Sequence, residues 1–426
     1  MVTHDKIIGF IGMGYVGLPT ACLFAEKYKV IGYDSNVERI RQLIDRDDTD
    51  GEVDATRLDK AFQDGLLLTH SPEELRPCNV YIIAVPTPID ASNKPDLRAL
   101  LSASKEVGSV LEKGDIVVYE STVYPGATED VCVPVLARVS GLEYNKEFFV
   151  GYSPERINPG DKKHQVADIV KITSGSTPET ARTIDELYRS VLRQGTYPAK
   201  SIKLAEAAKV IENAQRDVNI AFVNEVAKVL NALGIDTNDV IDAASSKWNF
   251  QAFRPGFVGG HCISVDPYYL ISQARAYGMD TPLMCTAREV NNSMAMYVSQ
   301  KVMTSIAKRK NNPDKPKVLL LGITFKENSK DIRNSKVVDL YHEFISLGAT
   351  VDICDPVADP DKCRMMYGIN LISGLDQLEL GSYDAVVLCV CHEVFSRQNL
   401  RRLLKANGMV YDVKGKVSKD QVNQRL

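Results

Sequence analysis

The sequence lacks the patterns of a metal site, a membrane protein or a nucleic-acid-binding protein. Its nine cysteines include no C-x-x-C pair, so we expect no metal. The longest apolar runs, 318–325 and 385–391, are far shorter than the ~20 residues of a membrane helix, so no membrane partner is expected. Lysine plus arginine (51) and aspartate plus glutamate (55) nearly cancel, which argues against a nucleic-acid partner.

The remaining composition is that of a globular protein of the cytoplasm. Of its 426 residues, 44% are apolar and 25% are charged, and at about 150 residues per domain this length suggests two or three domains. The N-terminus, MVTHDKIIGF, has no basic region or cleavage site of a signal peptide. Most cysteines are interpreted as buried thiols in a reducing compartment, so a cytoplasmic location is expected.

Short β-rich runs alternate with helical segments at both ends of the chain. In the first third the predicted strands are 7–11, 30–33, 80–85, 116–119 and 148–152. After a polar linker at 308–317, strands are predicted at 318–322, 350–354 and 385–391. Nearly continuous apolar strands with helices between them predict parallel sheets covered on both faces. The fold class is therefore α/β, with two Rossmann-like doubly wound domains joined by a long central helix.

The central helix is predicted over 202–233. Its apolar stripe is Leu204, Ala208, Ile211, Val218, Phe222, Val226, Val229 and Leu233, and Gly234 follows as a C-terminal cap. Such a helix is longer than a small domain needs and is typical of a subunit interface. We predict an NAD-binding domain at 1–200, a central dimerisation domain at 201–305 and a C-terminal domain at 315–426, in a homodimer formed through the helix.

A glycine-rich turn follows the first predicted strand and opens a helix. Its residues are Gly12, Met13, Gly14, Tyr15, Val16 and Gly17. Glycines permit the tight turn and the approach of a pyrophosphate, and the next strand ends in Asp34, 22 residues beyond Gly12. A carboxylate there binds a ribose 2′-hydroxyl and repels a 2′-phosphate, so the predicted cofactor is NAD. Arg39 is either an adenine-stacking residue or a solvated surface charge.

The later strand ends carry further candidates, each with a plainer alternative. Pro86, Thr87, Ser121 and Thr122 are cofactor-binding candidates, or simple turn residues. In the loop from Tyr152 to Gly160, Glu155 is a candidate base and Arg156 an anion ligand, or the two form a surface salt bridge.

Two helix residues and one loop carry the candidate catalytic chemistry. Lys209 and Asn213 share one helix face and suit an oxyanion or a water, although a solvated face is the usual interpretation. The segment FRPGFVGGHCISVDP places Cys262 after three glycines, where it is either a nucleophile or a buried thiol. Asp266 is a candidate to orient water, and Pro267 argues against helical pairing of Asp266 with Cys262.

The first strand of the C-terminal half leads into a basic segment, LGITFKENSKDIRNS. It has no glycine fingerprint. Lys326 and Arg333 in this segment are predicted to recognise phosphate by charge-assisted hydrogen bonds.

Together these segments resemble the UDP-glucose/GDP-mannose dehydrogenase family along nearly the whole chain. The shared motifs are IGMGYVGLP, GYD, VPTP, ESTVYPG, GYSPERINPGD, AEAAKVIEN, FRPGFVGGHCISVDP and LLGITFKENSKDIRNS. The resemblance implies NAD-dependent, four-electron oxidation of the C6 alcohol of a UDP sugar through a cysteine thiohemiacetal and thioester, for surface polysaccharide synthesis.

The resemblance also implies roles for single residues. Cys262 is the nucleophile; Lys209, Asn213 and Asp266 form the oxyanion and water site; Thr122 positions water; and Glu155 is the base for hydrolysis. Lys326 contacts the diphosphate of the sugar nucleotide, and Arg333 contacts the NAD pyrophosphate. The implied substrate-binding residues are Glu155, Arg156, Lys209, Asn213, Phe253, Arg254, Gly256, Gly259, Phe325 and Lys326.

The loop GYSPERINPGD is similar to the branch that acts on UDP-N-acetylglucosamine or UDP-N-acetylgalactosamine. Enzymes for UDP-glucose have a second acid where this chain has Pro159, and a lysine where it has Val265. Alternatives are a UDP-glucose or UDP-N-acetylmannosamine 6-dehydrogenase, a two-electron β-hydroxyacid dehydrogenase, and a non-catalytic nucleotide-sugar or NAD sensor.

Overall fold

The computed structural model describes residues 6–49, 51–157, 166–309 and 313–426. It contains two compact units. Unit 1 is Met1–Glu212 with Tyr268–Asp280, and unit 2 is Asn213–Pro267 with Thr281–Leu426. The predicted central domain is thus divided between the two units, and the three predicted domain ranges stay a prediction.

Unit 1 is built on an eight-stranded sheet. Its strands are β1 (Ile7–Ile11), β2 (Lys29–Tyr33), β3 (Leu66–Thr69), β4 (Val80–Ile83), β5 (Ile116–Tyr119), β6 (Phe149–Tyr152), β7 (Lys171–Gly175) and β8 (Thr196–Pro198). The strand order is β3-β2-β1-β4-β5-β6-β7-β8, and only the β6–β7 pair is antiparallel. The first six strands have the order of a dinucleotide-binding doubly wound sheet, which brings the carboxyl ends of β1, β2, β4 and β5 together.

Helices connect these strands. They are α1 (Gly17–Ala25), α2 (Val37–Ile44), α3 (Ala55–Gln63), α4 (Arg98–Gly108), α5 (Val133–Ser140) and α6 (Pro178–Val191). A π-helical turn, Thr128–Cys132, precedes α5, and 3₁₀ turns occupy Pro72–Leu75 and Val166–Asp168. Helix α1 is buried along its whole length because it packs between the sheet and the rest of the core.

The middle of the chain is helical. Its helices are α7 (Ile202–Ala232), α8 (Thr237–Ala244), α9 (Asp266–Ala276), α10 (Pro282–Asn292) and α11 (Met294–Ala307). Helix α7 has 31 residues, about 46 Å at 1.5 Å per residue, as predicted. Gly234 follows it with φ +72°, the left-handed conformation of a helix C-terminus.

Unit 2 contains a second, six-stranded sheet whose strand order matches that of the first six strands of unit 1. Its elements are β9 (Lys317–Leu321), α12 (Lys336–Ser346), β10 (Thr350–Cys354), α13 (Pro360–Tyr367), β11 (Leu371–Ile372), β12 (Tyr383–Leu388), α14 (Glu393–Ser396), β13 (Leu404–Asp412) and β14 (Gln424–Arg425), with 3₁₀ turns at Leu375–Gln377 and Leu400–Leu403. The order β11-β10-β9-β12-β13-β14 is parallel throughout. The predicted pair of Rossmann-like sheets and the long helix are therefore confirmed. Among the described residues, no helix has the length and apolar character to cross a membrane.

Candidate functional site

The glycine-rich turn after β1 is tightly packed except at one position. A Cβ on Gly12 (φ +97°) would lie 2.7 Å from the carbonyl oxygen of Ala84, and one on Gly17 would lie 1.9 Å from that of Gly12. At Gly14, by contrast, a Cβ would meet no atom within 4 Å. Gly12 and Gly17 therefore shape the turn, whereas Gly14 leaves open space over it. That space is at the start of α1, where the pyrophosphate of a dinucleotide is predicted to bind.

Asp34, directly after β2, and Arg39, on α2, form hydrogen bonds with this turn. The Oδ2 atom of Asp34 accepts a hydrogen bond from the Met13 amide at 2.9 Å. Arg39 is only 8% exposed; its Nε donates to the Met13 carbonyl at 2.9 Å, and its Nη2 lies 2.7 Å from Oδ1 of Asp48. The interpretation of Arg39 as a solvated charge is therefore wrong, and its contact with a cofactor stays a prediction.

Replacement of Asp34 is expected to reduce the preference for NAD⁺ over NADP⁺. The substitution Asp34→Asn retains an acceptor for the Met13 amide but removes the charge that opposes a 2′-phosphate. Loss of one charge-assisted contact to the ribose corresponds to ~1.5–3 kcal/mol, so the ratio of the two kcat/KM values should fall about tenfold or more. Steady-state kinetics with both cofactors measures this ratio. An unchanged ratio would contradict the role of Asp34.

Hydrogen bonds connect the segment after β4 to the end of β5 and to α9. Ser121 Oγ donates to the Val85 carbonyl at 2.7 Å, and the Tyr269 hydroxyl donates to the Thr87 carbonyl at 2.8 Å. Thr122, next along the chain, is half-buried. These contacts order the strand ends near which Pro86 and Thr87 lie, and the binding roles of all four candidates stay predictions.

Glu155 lies beside a buried cluster of charges that the sequence did not reveal. Lys171, on β7, places its Nζ 3.0 Å from Oε1 of Glu120 and 3.8 Å from Oε2 of Glu155. Glu120 is fully buried and accepts a hydrogen bond from the Tyr188 hydroxyl at 2.5 Å. Burial raises the pKa of Glu120, against the opposing effect of Lys171. Glu155 and Glu120, which come from different loops, therefore lie near the same lysine.

Arg156 forms an ion pair with Glu212 and a hydrogen bond with a backbone carbonyl. Its Nη2 lies 2.7 Å from Oε1 of Glu212, and its Nη1 donates to the Val170 carbonyl at 2.8 Å. The alternative of a Glu155–Arg156 surface pair is not what the structure shows. Pro159, which distinguished this loop from UDP-glucose enzymes, lies outside the described residues.

Helix α7 buries a polar face within unit 1. Lys209 is 7% exposed, so the interpretation of a solvated helix face is wrong for this residue. One turn before it, the fully buried Glu206 accepts hydrogen bonds from the amides of Gly126 (2.5 Å) and Thr128 (2.9 Å). Burial raises the pKa of Glu206, and these amides oppose that rise. Glu206 thereby anchors the turn that follows Thr122 to the helix that carries Lys209.

Cys262 and Asp266 are separated by one helical turn in unit 2. The Asp266 amide donates to the Cys262 carbonyl at 2.8 Å, and α9 begins at Asp266. The argument from Pro267 against such pairing is wrong, because proline is tolerated in the first turn of a helix, where its missing N–H is not needed. Asn213 donates from Nδ2 to Oδ2 of the buried Asp266 at 2.6 Å. Three predicted residues thus lie together, with the Cys262 thiol half-buried.

The glycines before Cys262 are held by two other segments of unit 2. The Asn224 side chain accepts from the Gly256 amide at 2.8 Å and donates to its carbonyl at 3.0 Å. A Cβ on Gly259 would lie 2.6 Å from the Asn334 carbonyl oxygen, and one on Gly260 (φ +82°) would lie 2.8 Å from the Phe325 ring. The loop of Cys262 and the basic segment after β9 therefore pack directly against each other.

The loop of Cys262 and the basic segment after β9 also contribute polar side chains to a shared cluster around Asp331. Arg333 forms a two-pronged pair with Asp331, at 2.9 Å from Nε to Oδ1 and 2.7 Å from Nη2 to Oδ2. His261 Nε2 lies 3.1 Å from the same carboxylate. Burial opposes ionisation of Asp331, but these two partners outweigh it and lower its pKa.

The remaining candidates of unit 2 differ in burial and contacts. Arg254 Nη1 donates to Oδ1 of Asn238 at 3.0 Å, and its guanidinium pairs with Asp242. Phe253 is half-buried, and Val265 is buried. Lys326 lies with its Nζ 5.5 Å from the centre of the Phe325 ring. Their roles toward a substrate stay predictions.

Among the residues that the structure describes, no group of three or more histidine, cysteine, aspartate or glutamate side chains is arranged to hold a metal ion.

Comparison with known proteins identifies the family. The chain matches the UDP-glucose/GDP-mannose dehydrogenase family in three parts: the NAD binding domain at 6–192, the central domain at 203–293 and the UDP binding domain at 319–419. UDP-N-acetyl-D-glucosamine 6-dehydrogenase of Pseudomonas aeruginosa is 48% identical over 99% of this chain and 100% of that protein. The protein of the same name from Salmonella typhi is 48% identical over 98% of each.

A solved structure supports the same assignment. The UDP-D-ManNAc dehydrogenase of Pyrococcus horikoshii is 30% identical, with a TM-score of 0.89 over 99% of this chain and 98% of that one. The match extends through both sheets and the helical middle, so no large part of the chain lies outside it. The chain therefore belongs to the UDP-glucose/GDP-mannose dehydrogenase family of NAD-dependent oxidoreductases.

Proposed function

We propose that this protein is a UDP-N-acetyl-D-glucosamine 6-dehydrogenase, which oxidises the C6 alcohol of the sugar to a carboxylate. The observation that carries the proposal is the 48% identity, over essentially the full length, to two proteins of that name. Identity to the UDP-D-ManNAc dehydrogenase structure is lower, at 30%. The uronic acid product would supply the synthesis of a surface polysaccharide. A cytoplasmic location is proposed because the nine cysteines, all among the described residues, form no disulfide, which is usual in a reducing compartment.

The proposed roles of the residues follow their chemistry. NAD⁺, bound at the turn of Gly12, Gly14 and Gly17, supplies the hydride acceptor for each of two oxidations. The Cys262 thiolate adds to the C6 aldehyde to form a thiohemiacetal, and the second oxidation converts that adduct into a thioester. The amine of Lys209 stabilises the oxyanion. Hydrolysis then releases the acid and restores the thiol.

Hydrolysis of the thioester requires a water molecule that is held and deprotonated. Asp266, buried and oriented by Asn213, is proposed to hold this water one helical turn from Cys262. Glu155 is proposed as the base. Its carboxylate lies 3.8 Å from the amine of Lys171, and a carboxylate within reach of a water can accept its proton.

The proposal is tested by incubating the enzyme with excess NAD⁺ and one UDP sugar at a time. The panel contains UDP-N-acetylglucosamine, UDP-N-acetylgalactosamine, UDP-N-acetylmannosamine and UDP-glucose. We expect UDP-N-acetylglucosamine to have the highest kcat/KM and to yield two NADH per sugar. One NADH per sugar would indicate a two-electron dehydrogenase, no NADH with any sugar would indicate a sensor, and a preference for another sugar would correct the substrate.

We further propose that the protein is a homodimer formed through α7. The apolar stripe found in the sequence lies largely on the exposed side of the helix: Phe222, Val229 and Leu233 are 64%, 56% and 66% exposed. The opposite side is buried and combines polar or small residues, such as Asp217, Asn224 and Ala227, with the valines Val210 and Val223. A surface stripe of large apolar side chains on a long helix suits burial against a second copy.

Sedimentation at micromolar concentration is expected to show a dimer. The substitution Phe222→Asp should weaken the dimer at least tenfold, which corresponds to about 1.4 kcal/mol, because it would bury a charge at the interface. The matched control is Arg216→Asp, which places the same residue at an exposed position of α7 off the stripe. A monomeric wild-type protein, or equal effects of the two substitutions, would refute the interface.

A further inference from the structure

A buried histidine in unit 2 was not assigned any role by the sequence. His392 follows β12 by four residues and has no solvent exposure. Burial of a polar ring is costly unless its nitrogens are hydrogen-bonded. The partners of this ring therefore indicate why a histidine is present at this position.

Both nitrogens of the His392 ring have hydrogen-bond partners, and these partners determine which nitrogen donates and which accepts. Nδ1 lies 2.9 Å from the backbone nitrogen of Asn328, whose N–H can only donate, so Nδ1 is the acceptor. Nε2 then carries the proton and lies 3.1 Å from Oδ2 of Asp355 and 3.2 Å from Oγ1 of Thr324. The Asn328 hydrogen bond thus determines the tautomer, as a partner on one ring nitrogen generally does.

Asp355 occupies the place in the second sheet that Asp34 occupies in the first. Each follows the second strand of its sheet, and each accepts a backbone N–H from the loop after the first strand: Met13 for Asp34, and Ile323 (2.7 Å) for Asp355. Asp355, however, is fully buried, and its other oxygen accepts from the amides of Val357 and Ala358. Asp355 therefore has no surface for a ribose, and its hydrogen bonds serve the protein itself.

The partners of His392 and Asp355 lie on both sides of Lys326 in the sequence. The Thr324 amide donates to Asp355 at 3.3 Å, and the Thr324 hydroxyl donates to the Lys326 carbonyl at 2.9 Å. The Asn328 amide, on the other side of Lys326, donates to His392. The backbone is therefore fixed at alternate residues, 324, 326 and 328, by groups anchored at the ends of β10 and β12.

We propose that His392 and Asp355 are positioning residues for substrate binding, which hold the loop that presents Lys326 to the diphosphate of the UDP sugar. This inference rests on the proposed function, since it takes Lys326 as a ligand of the substrate. Neither residue needs to touch the substrate, because both are buried and act through the loop backbone.

The test compares substitutions at His392 by steady-state kinetics. His392→Leu removes both sets of hydrogen bonds and is expected to raise KM for UDP-N-acetylglucosamine at least tenfold, while KM for NAD⁺ changes less than twofold. His392→Asn retains an acceptor near the position of Nδ1 and should restore part of the affinity. His392→Gln retains a donor near Nε2 but not the acceptor for Asn328, and it provides a second partial variant if His392→Leu does not fold.

Hydrogen–deuterium exchange of the segment 323–328 supplies a readout that does not depend on activity. Exchange should be faster in His392→Leu than in the wild type, with little change elsewhere in the second sheet. Cys389→Ala is the matched control, because Cys389 is also buried and lies three residues before His392. This control should leave both the KM and the exchange of 323–328 near their wild-type values.

KM for the UDP sugar is also measured for Lys326→Ala. This variant distinguishes failure of the positioning role from failure of the assignment of Lys326 as a substrate ligand. If Lys326→Ala raises KM for the UDP sugar but the His392 variants do not, the positioning role is overturned and the substrate assignment stands. If Lys326→Ala has no effect on that KM, the assignment of Lys326 and this inference both fail. Unchanged exchange of 323–328 in His392→Leu would also overturn the positioning role.

Discussion

Cys262→Ser is expected to reduce steady turnover about a thousandfold or more. Removal of a catalytic nucleophile typically lowers kcat by a factor of this size or larger. A primary alcohol can lose one hydride before it becomes an aldehyde, and a second oxidation needs a tetrahedral adduct with water or with an enzyme nucleophile. Serine at this position adds less readily than a thiolate. It also forms an ester, which hydrolyses more slowly than a thioester because an alkoxide is the poorer leaving group.

Intact-protein mass spectrometry measures the predicted adduct directly. The serine variant should carry one added UDP-sugar mass after incubation with substrate and NAD⁺, whereas alkylation of the wild-type thiol should be blocked by substrate. Cys391→Ser is a suitable control, because Cys391 is likewise a half-buried thiol of unit 2 and is not implicated in the chemistry. Near-normal production of two NADH per sugar by Cys262→Ser would show that a hydrated aldehyde, not a covalent adduct, is oxidised.

Gly17→Ala is expected to abolish NAD⁺ binding and to destabilise unit 1. Its Cβ would lie 1.9 Å from the Gly12 carbonyl oxygen, far inside van der Waals contact, and that oxygen belongs to the backbone of the same turn. The turn must open to relieve the overlap, and overpacking of this kind costs ~1–3 kcal/mol or more. Thermal unfolding should report the loss of stability, and calorimetric titration with NAD⁺ the loss of binding.

Gly14→Ala separates packing from binding at the same turn. A Cβ at Gly14 would meet no protein atom within 4 Å, so this variant should unfold at nearly the wild-type temperature. It should nevertheless weaken NAD⁺ binding, because the methyl group would enter the space left for the pyrophosphate. Wild-type NAD⁺ affinity in Gly17→Ala would contradict the assigned geometry of the turn, and wild-type affinity in Gly14→Ala would place the pyrophosphate elsewhere.

The strands that were predicted from the sequence have local signals, whereas β3, β7, β8, β11, β13 and β14 were not predicted. The strands 7–11, 116–119 and 350–354 were predicted with the bounds that the structure shows, and the central helix ends one residue earlier than expected. Runs of apolar residues between helices are typical of parallel strands covered on both faces. The glycine-rich motif was also predictable, because its spacing is set by the single turn that connects β1 to α1.

Only one side of α7 was described by its sequence pattern. The apolar stripe was predicted to pack on a second copy, and its residues Phe222 and Val229 are exposed on the single chain. The pattern did not indicate that Glu206, Lys209 and Asp217 are buried. Periodicity identifies two sides of a helix but not which side faces the chain's own core when a second copy is available to cover the other. For this reason a solvent-exposed position was the usual interpretation of Lys209, although its side chain is buried.

The amino-acid sequence by itself determined the fold class, the family, the cofactor and the set of candidate residues, because each depends on short motifs or on local periodicity. Only the tertiary structure decided which of these residues have partners distant in sequence. Lys171 reaches Glu120 and Glu155 from another strand, and His392 reaches Asn328 across 64 residues. Such contacts depend on where strands end in a folded sheet, and a lysine or histidine within an apolar run carries no local sign of its partner.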